Sequence, residues 1–259
     1  MNNLREDLFV FIVSHGRSGS SALYGFLNLF SELNIAFEES SPYVFDNHSH
    51  VNYGIGNFSF NHKLIINNRL PYEFNGNKFV FNRFICPGER VIELYKRRLL
   101  LFHDRFTELK VIILKRNPLD TMTSMYMRRF LSLPGKHNLL SPHHPDLSIK
   151  WAVSNWVTNE IQMRKVESFF VPHFKLDFYD FVDNDGLKED LINWIGVEFD
   201  PSYLNKKVRT EAYGNSSLSQ DRMKFREGGD YKMVREKIEE EAVKILSGKE
   251  ELLWILEKK

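Results

Sequence analysis

Two strings in the chain put arginine beside small hydroxyl residues and turn formers, a combination suited to holding an anion. The first is Ser14-His15-Gly16-Arg17-Ser18-Gly19-Ser20-Ser21. Gly16 and Gly19 allow the backbone to turn sharply and to come close to phosphate oxygens. Arg17 brings a forked cation, and Ser18, Ser20 and Ser21 bring hydroxyl donors. Only two residues separate the glycines, and Ser20 stands where a Walker lysine would be, so the string is not a Walker A loop. The second string is Lys115-Arg116-Asn117-Pro118-Leu119-Asp120-Thr121-Met122-Thr123-Ser124. Arg116 again offers a fork, and Ser124 lies about two helical turns further on, where it can face the same turn. The plainer alternatives are a Gly/Ser turn for the first string and a surface Arg116–Asp120 ion pair for the second.

Each string needs a strand before it and a helix after it, and the apolar pattern supplies both. Residues 8–13 form a continuous apolar run of the kind buried on both faces of a parallel sheet. Leu23, Phe26, Leu27 and Phe30 follow at helical spacing, with Ser20 or Ser21 at the helix start. The unpaired first amides of such a helix, and its positive end, favour an anion. Residues 110–114 repeat the buried-strand signature, and Pro118 opens a helix that runs to residue 130. Further strands are expected over 34–37, 78–84 and 174–178. Helices are expected over 90–106, 147–169, 187–195 and 231–246, with Gly196 as a helix-ending glycine. Residues 40–62, 132–146 and 205–230 are polar and rich in turn formers, and read as loops. Strands alternating with helices imply one α/β domain over 1–259, with three layers: a mostly parallel central sheet and helices on both faces.

The 35 Lys and Arg against 34 Asp and Glu leave a net charge of +1. The chain therefore lacks the basic excess of a general nucleic-acid binder, and any anion site is a local arrangement of donors. A single cysteine, Cys86, rules out an internal disulfide. The apolar run at 8–13 is too short for a signal-peptide core or a membrane span, so the expectation is a soluble, cytoplasmic protein. The histidines at 48, 50, 62, 137, 143 and 144 fall in the expected loops and match no zinc-ligand spacing, so no metal is expected.

The first string closely resembles the 5′-phosphosulfate loop of the sulfotransferase family, in particular the Arg-Ser-Gly-Ser/Thr-Ser/Thr form found in carbohydrate sulfotransferases. The second resembles the family's 3′-phosphate signature, a strand followed by Arg-Asp-Pro, a nearby Asp, and a Ser eight residues after the Arg. Arg116, Pro118, Asp120 and Ser124 match it. Asn117 replaces the usual Asp but keeps an acceptor for a local backbone hydrogen bond. Lys224-Phe225-Arg226-Glu227-Gly228-Gly229-Asp230-Tyr231-Lys232 resembles a shortened form of the late Arg-Lys-Gly…Gly-Asp-Trp-Lys segment, with Glu227 for Lys and Tyr231 for Trp. Residues 176–182 resemble a degraded Tyr-Glu-Asp-Leu stretch and read as structural. The resemblance implies a P-loop-like sulfotransferase fold and 3′-phosphoadenosine 5′-phosphosulfate (PAPS) as the sulfuryl donor. It implies that Arg17, Ser18, Gly19, Ser20 and Ser21 hold the 5′ side, while Arg116, Ser124 and Arg226 hold the 3′-phosphate.

The same resemblance implies a base. Many sulfotransferases use a Glu just after the second strand, where Glu38 and Glu39 stand. Neighbours on an extended chain point opposite ways, so one of the two faces the cleft, and Glu39 is favoured. His48 and His50 are the alternatives. Arg17 is also implicated in catalysis, by steadying the leaving group. A sulfuryl group carries one residual negative charge, so its transfer needs less metal help than phosphoryl transfer. The expected acceptor is a small molecule or a glycan, with a sugar hydroxyl favoured by the form of the Arg17 loop. A P-loop nucleotide kinase and a non-catalytic nucleotide-binding protein on the same fold are the competing functions. The kinase requires the lysine that the first string lacks.

Overall fold

The computed structural model describes residues 8–36, 76–81, 108–130, 149–167, 172–205 and 229–247. Glu38, Glu39, His48, His50 and Arg226 lie outside these residues, as do the loops at 40–62 and 132–146, most of 205–230, and the helix expected over 90–106. In chain order the elements are β1 (Leu8–His15), α1 (Ser20–Leu27), β2 (Ile35–Ala36), β3 (Gly76–Phe81), β4 (Glu108–Lys115), α2 (Pro118–Phe130), α3 (Ile149–Val166), β5 (His173–Asp177), α4 (Phe178–Asp183), α5 (Asp185–Ile195), a 3-10 turn (Pro201–Asn205) and α6 (Gly229–Leu246).

The strands form one sheet in the order β2-β3-β1-β4-β5, and each neighbouring pair is parallel. From the central β1 the path goes to the edge at β2, returns to place β3 between β2 and β1, then crosses to place β4 on β1's other side with β5 beyond it. In open α/β sheets a crevice forms where the path reverses, beyond the carboxyl ends of the two central strands. Here those ends are His15 on β1 and Lys115 on β4, held level by a register that pairs Ser14 with Leu114. The two arginine strings begin at these two ends, so topology alone brings them together.

Alternation along the strands assigns the two faces. Leu8, Val10 and Ile12 of β1, Ile112 and Leu114 of β4, and Leu176 of β5 pack in one core with Leu23, Phe26 and Leu27 of α1 and Leu191, Ile192 and Ile195 of α5. On the other side Trp156 of α3 stacks on His15, and α3 packs with α2 and α6 around Met122, Trp151, Val153 and Ile238. Helices thus cover both faces of a parallel sheet, the α/β arrangement expected from the sequence.

Most observed elements start or stop a few residues from the expected bounds, β3 at Gly76–Phe81 against 78–84 for example, and two of the shifts come from caps. The expected strand over 174–178 stops at Asp177, whose carboxylate accepts a hydrogen bond from the Tyr179 amide and opens α4 at Phe178. The helix expected from 187 begins at Asp185, because the Asn184 side chain accepts from the Leu187 amide. Its other end is as expected: Gly196 adopts a left-handed φ of 84° and its amide returns to the Ile192 and Asn193 carbonyls.

Candidate functional site

The first string forms a tight turn between β1 and α1. Arg17 has a φ of 70° and Gly19 a φ of 95°. Both lie in the left-handed region, which is strained for Arg17 and open to Gly19 because it has no Cβ. Gly19 also needs the space, since a Cβ there would fall 2.1 Å from the Phe178 ring. The hydroxyl of fully buried Ser18 donates to the His15 carbonyl at 2.7 Å. In this conformation the Ser18 hydroxyl braces the turn, although the sequence suggested it as a ligand donor. Gly19 caps α1 with no side-chain hydrogen bond, and no acidic residue sits in the first turn. A glycine cap and a first turn without an acidic residue leave the positive end of α1 suited to an incoming anion.

The second string repeats the design on β4. Asn117 caps α2: its side-chain oxygen accepts from the Asp120 amide at 3.1 Å, the role expected of it as a replacement for Asp. Its carbonyl accepts from the Thr121 amide and hydroxyl. Arg116 Nη1 donates to the Arg17 carbonyl at 3.0 Å, and Arg17 Nε donates to Ser124 Oγ at 3.2 Å. Arg17, Arg116 and Ser124 are thus one contiguous cluster, with Ser124 on the helix side that faces the turn. Arg116 is only 8% exposed, which excludes the plain surface cation considered from sequence.

Sequence reasoning missed Tyr179. By sequence, residues 176–182 read as structural, yet the Tyr179 hydroxyl accepts from Arg116 Nε at 3.2 Å and Nη2 at 3.1 Å and donates to Asp120 Oδ2 at 2.5 Å. The Arg116 guanidinium also lies over the Phe178 and Tyr179 rings, at 5.3 and 5.4 Å from their centroids. Burial pushes the Tyr179 phenol above its ordinary pKa; the Arg116 charge opposes this and the hydrogen bond to Asp120 reinforces it. Asp120 further accepts from Arg235 Nε at 3.3 Å and from the Tyr231 hydroxyl at 3.5 Å, which ties α6 to the second string.

A second unforeseen group lies beneath the first turn. His15 Nε2 is 2.9 Å from Glu160 Oε2, and the imidazole stacks on Trp156 with centroids 5.0 Å apart. Glu160 also faces Lys115 Nζ at 3.6 Å and Arg164 Nε at 3.3 Å. Burial pushes the Glu160 carboxyl up, but the His15 hydrogen bond, the His15 and Lys115 charges and the Arg164 bond together hold it below its ordinary value. An ionised carboxylate only accepts, so His15 Nε2 carries the proton between them. Glu167 is likewise held below the ordinary value: burial raises it, and Lys115 and Lys175 more than offset that. The sequence did carry a signal for Glu160. It stands in the buried stripe Val153, Trp156, Glu160, Met163 of α3, where a charge must have partners.

Of the residues predicted from sequence, Arg17, Ser18, Gly19, Ser20, Ser21, Arg116 and Ser124 lie at the paired strand ends, and Glu38, Glu39 and Arg226 lie outside the described residues. Among the described residues no group of three or more His, Cys, Asp or Glu is placed to hold a metal ion, and no helix is long and apolar enough to cross a membrane.

No family model matches the sequence, and no curated protein matches it. Among solved structures, the chain is similar to a mouse sulfotransferase complexed with PAP, over 78% of this chain and 63% of that one, at 15% identity and a TM-score of 0.43. It is similar to a sulfotransferase domain from the curacin biosynthetic pathway over 83% of this chain and 84% of that one, at 16% identity and a TM-score of 0.48. It is also similar to a sulfotransferase from Alicyclobacillus acidocaldarius over 97% and 96% of the two chains, at 16% identity and a TM-score of 0.49. These likenesses specify neither a reaction nor an acceptor.

Proposed function

We propose that this chain is a single-domain PAPS-dependent sulfotransferase, acting on a hydroxyl or amine of a small-molecule or glycan acceptor. The observation that carries the reading is the junction of the two strings: Arg116 reaches the Arg17 carbonyl and Arg17 reaches Ser124, at the carboxyl ends of adjacent parallel strands. The donor set fits a nucleotide with phosphates at both its 3′ and 5′ positions. The glycine-capped start of α1, the Arg17 fork and Ser20 and Ser21 form its 5′ side. Arg116 and Ser124 form its 3′ side, which Arg226 joins in this reading. Gly19 keeps the turn low enough for close approach.

PAPS supplies an activated sulfuryl group. During transfer the acceptor oxygen or nitrogen forms its bond to sulfur as the bond from sulfur to the 5′-phosphate oxygen breaks. The acceptor proton passes to a carboxylate, for which Glu39 is proposed with Glu38 beside it. Charge grows on the departing phosphate, and in this reading the Arg17 cation lowers that cost. Incubation with PAPS and a panel of acceptors, sugars first, tests the proposal by mass spectrometry. The expected result is an acceptor heavier by one SO3 and release of 3′-phosphoadenosine 5′-phosphate (PAP). Binding of PAP without any transfer to the panel or to water would point instead to a nucleotide-binding protein without catalysis.

A further inference from the structure

We infer that Tyr179 is a positioning residue that keeps Arg116 available to a 3′-phosphate by standing between it and Asp120. The inference rests on the reading of the site as a cradle for a nucleotide phosphorylated at both ends. A guanidinium has five N–H groups. In Arg116 two of them end on the Tyr179 hydroxyl and one on the Arg17 carbonyl, which leaves two for a ligand. The single phenol proton goes to Asp120 Oδ2. A neutral hydroxyl thus bridges the cation and the carboxylate, and no direct ion pair joins Arg116 to Asp120 among the described residues. Asp120 satisfies its charge elsewhere, on Arg235 of α6.

The arrangement has a consequence for selectivity. A fork paired directly with a carboxylate has lost both its free charge and its open edge, and a phosphate must compete for it. A fork held by a phenol oxygen keeps its charge and presents a fixed edge. Burial keeps the phenol protonated, so the bridge stays neutral. Removing the hydroxyl leaves two buried N–H groups and one carboxylate oxygen without partners, and their mutual attraction draws Arg116 toward Asp120.

The test compares PAP with AMP, which lacks the 3′-phosphate, by calorimetric titration. Wild-type protein is expected to bind PAP more tightly than AMP; equal affinity would refute the underlying reading and not this inference alone. With that preference in place, Tyr179→Phe is expected to lower PAP affinity about tenfold while AMP affinity stays within about twofold. Adding Asp120→Asn to Tyr179→Phe removes the competing charge and is expected to restore most of the PAP preference, which a purely structural role for the phenol would not allow. An unchanged preference in Tyr179→Phe, or a double variant no better than the single one, overturns the inference. If Tyr179→Phe fails to fold, Asp120→Asn alone decides. The phenol then still has an amide oxygen to donate to, so the preference stays within about twofold; a tenfold loss contradicts the inference.

Discussion

At position 19 two constraints coincide. The backbone is left-handed, and the space where a Cβ would sit is filled by the Phe178 ring. Gly19→Ala is therefore expected to cost about 2–4 kcal/mol through backbone strain and a displaced ring. Thermal unfolding measures the loss, and PAP binding should weaken with it because the turn that presents the α1 amides is deformed. Wild-type stability in this variant would mean that the turn is not built as described. Arg17, the neighbouring residue in left-handed backbone, has no such exemption from strain, and strained backbone is characteristic of functional turns. Its Nε bond to Ser124 helps to hold it there.

At the scale of elements, the link between β1 and α3 has a pH dependence that can be worked out. Glu160 and Glu167 both titrate below their ordinary values in the folded chain. A carboxylate with a lowered folded pKa stabilises the fold at pH above its unfolded value, about 4.3, and loses that contribution as pH falls through the folded value. Urea midpoints are expected to hold steady down to about pH 5 and to drop below it, with a shallower drop in Glu160→Gln. A midpoint in Glu160→Gln that falls with acid as steeply as in the wild type would show that the dyad is not the group being titrated. Much of this framework was legible in the chain. The continuous apolar runs marked β1 and β4, Pro118 marked the start of α2, Gly196 marked the end of α5, and the eight-residue spacing of Arg116 and Ser124 placed them on one side. Tyr179 was not legible, because its partners lie 59 and 63 residues away and its own neighbourhood, Phe178 to Val182, looks like ordinary packing. The Asp177 cap that turns this segment toward the site is a local signal, but it fixes a direction only once β5 is known to pair with β4. The His15–Glu160 pair spans 145 residues and follows from tertiary packing that no local window contains.

For the whole molecule, the decisive feature is the switch in strand order at the parallel pair β1 and β4, which turns two separate strand ends into one crevice. The cations placed there are arginines on the two turns, with no cluster of metal ligands among the described residues. In the proposed reaction, turnover with PAPS is expected to stay within about twofold when EDTA is added, since a sulfuryl group leaves less charge to neutralise than a phosphoryl group. Loss of activity on chelation would favour the chemistry of a nucleotide kinase. The most direct test of the central idea is a titration of PAP into wild-type protein, Arg17→Ala and Arg116→Ala, each checked for folding by circular dichroism. If the two turns grip opposite ends of one nucleotide, each variant stays folded and loses at least about a hundredfold in affinity. Wild-type affinity in both variants would contradict the account.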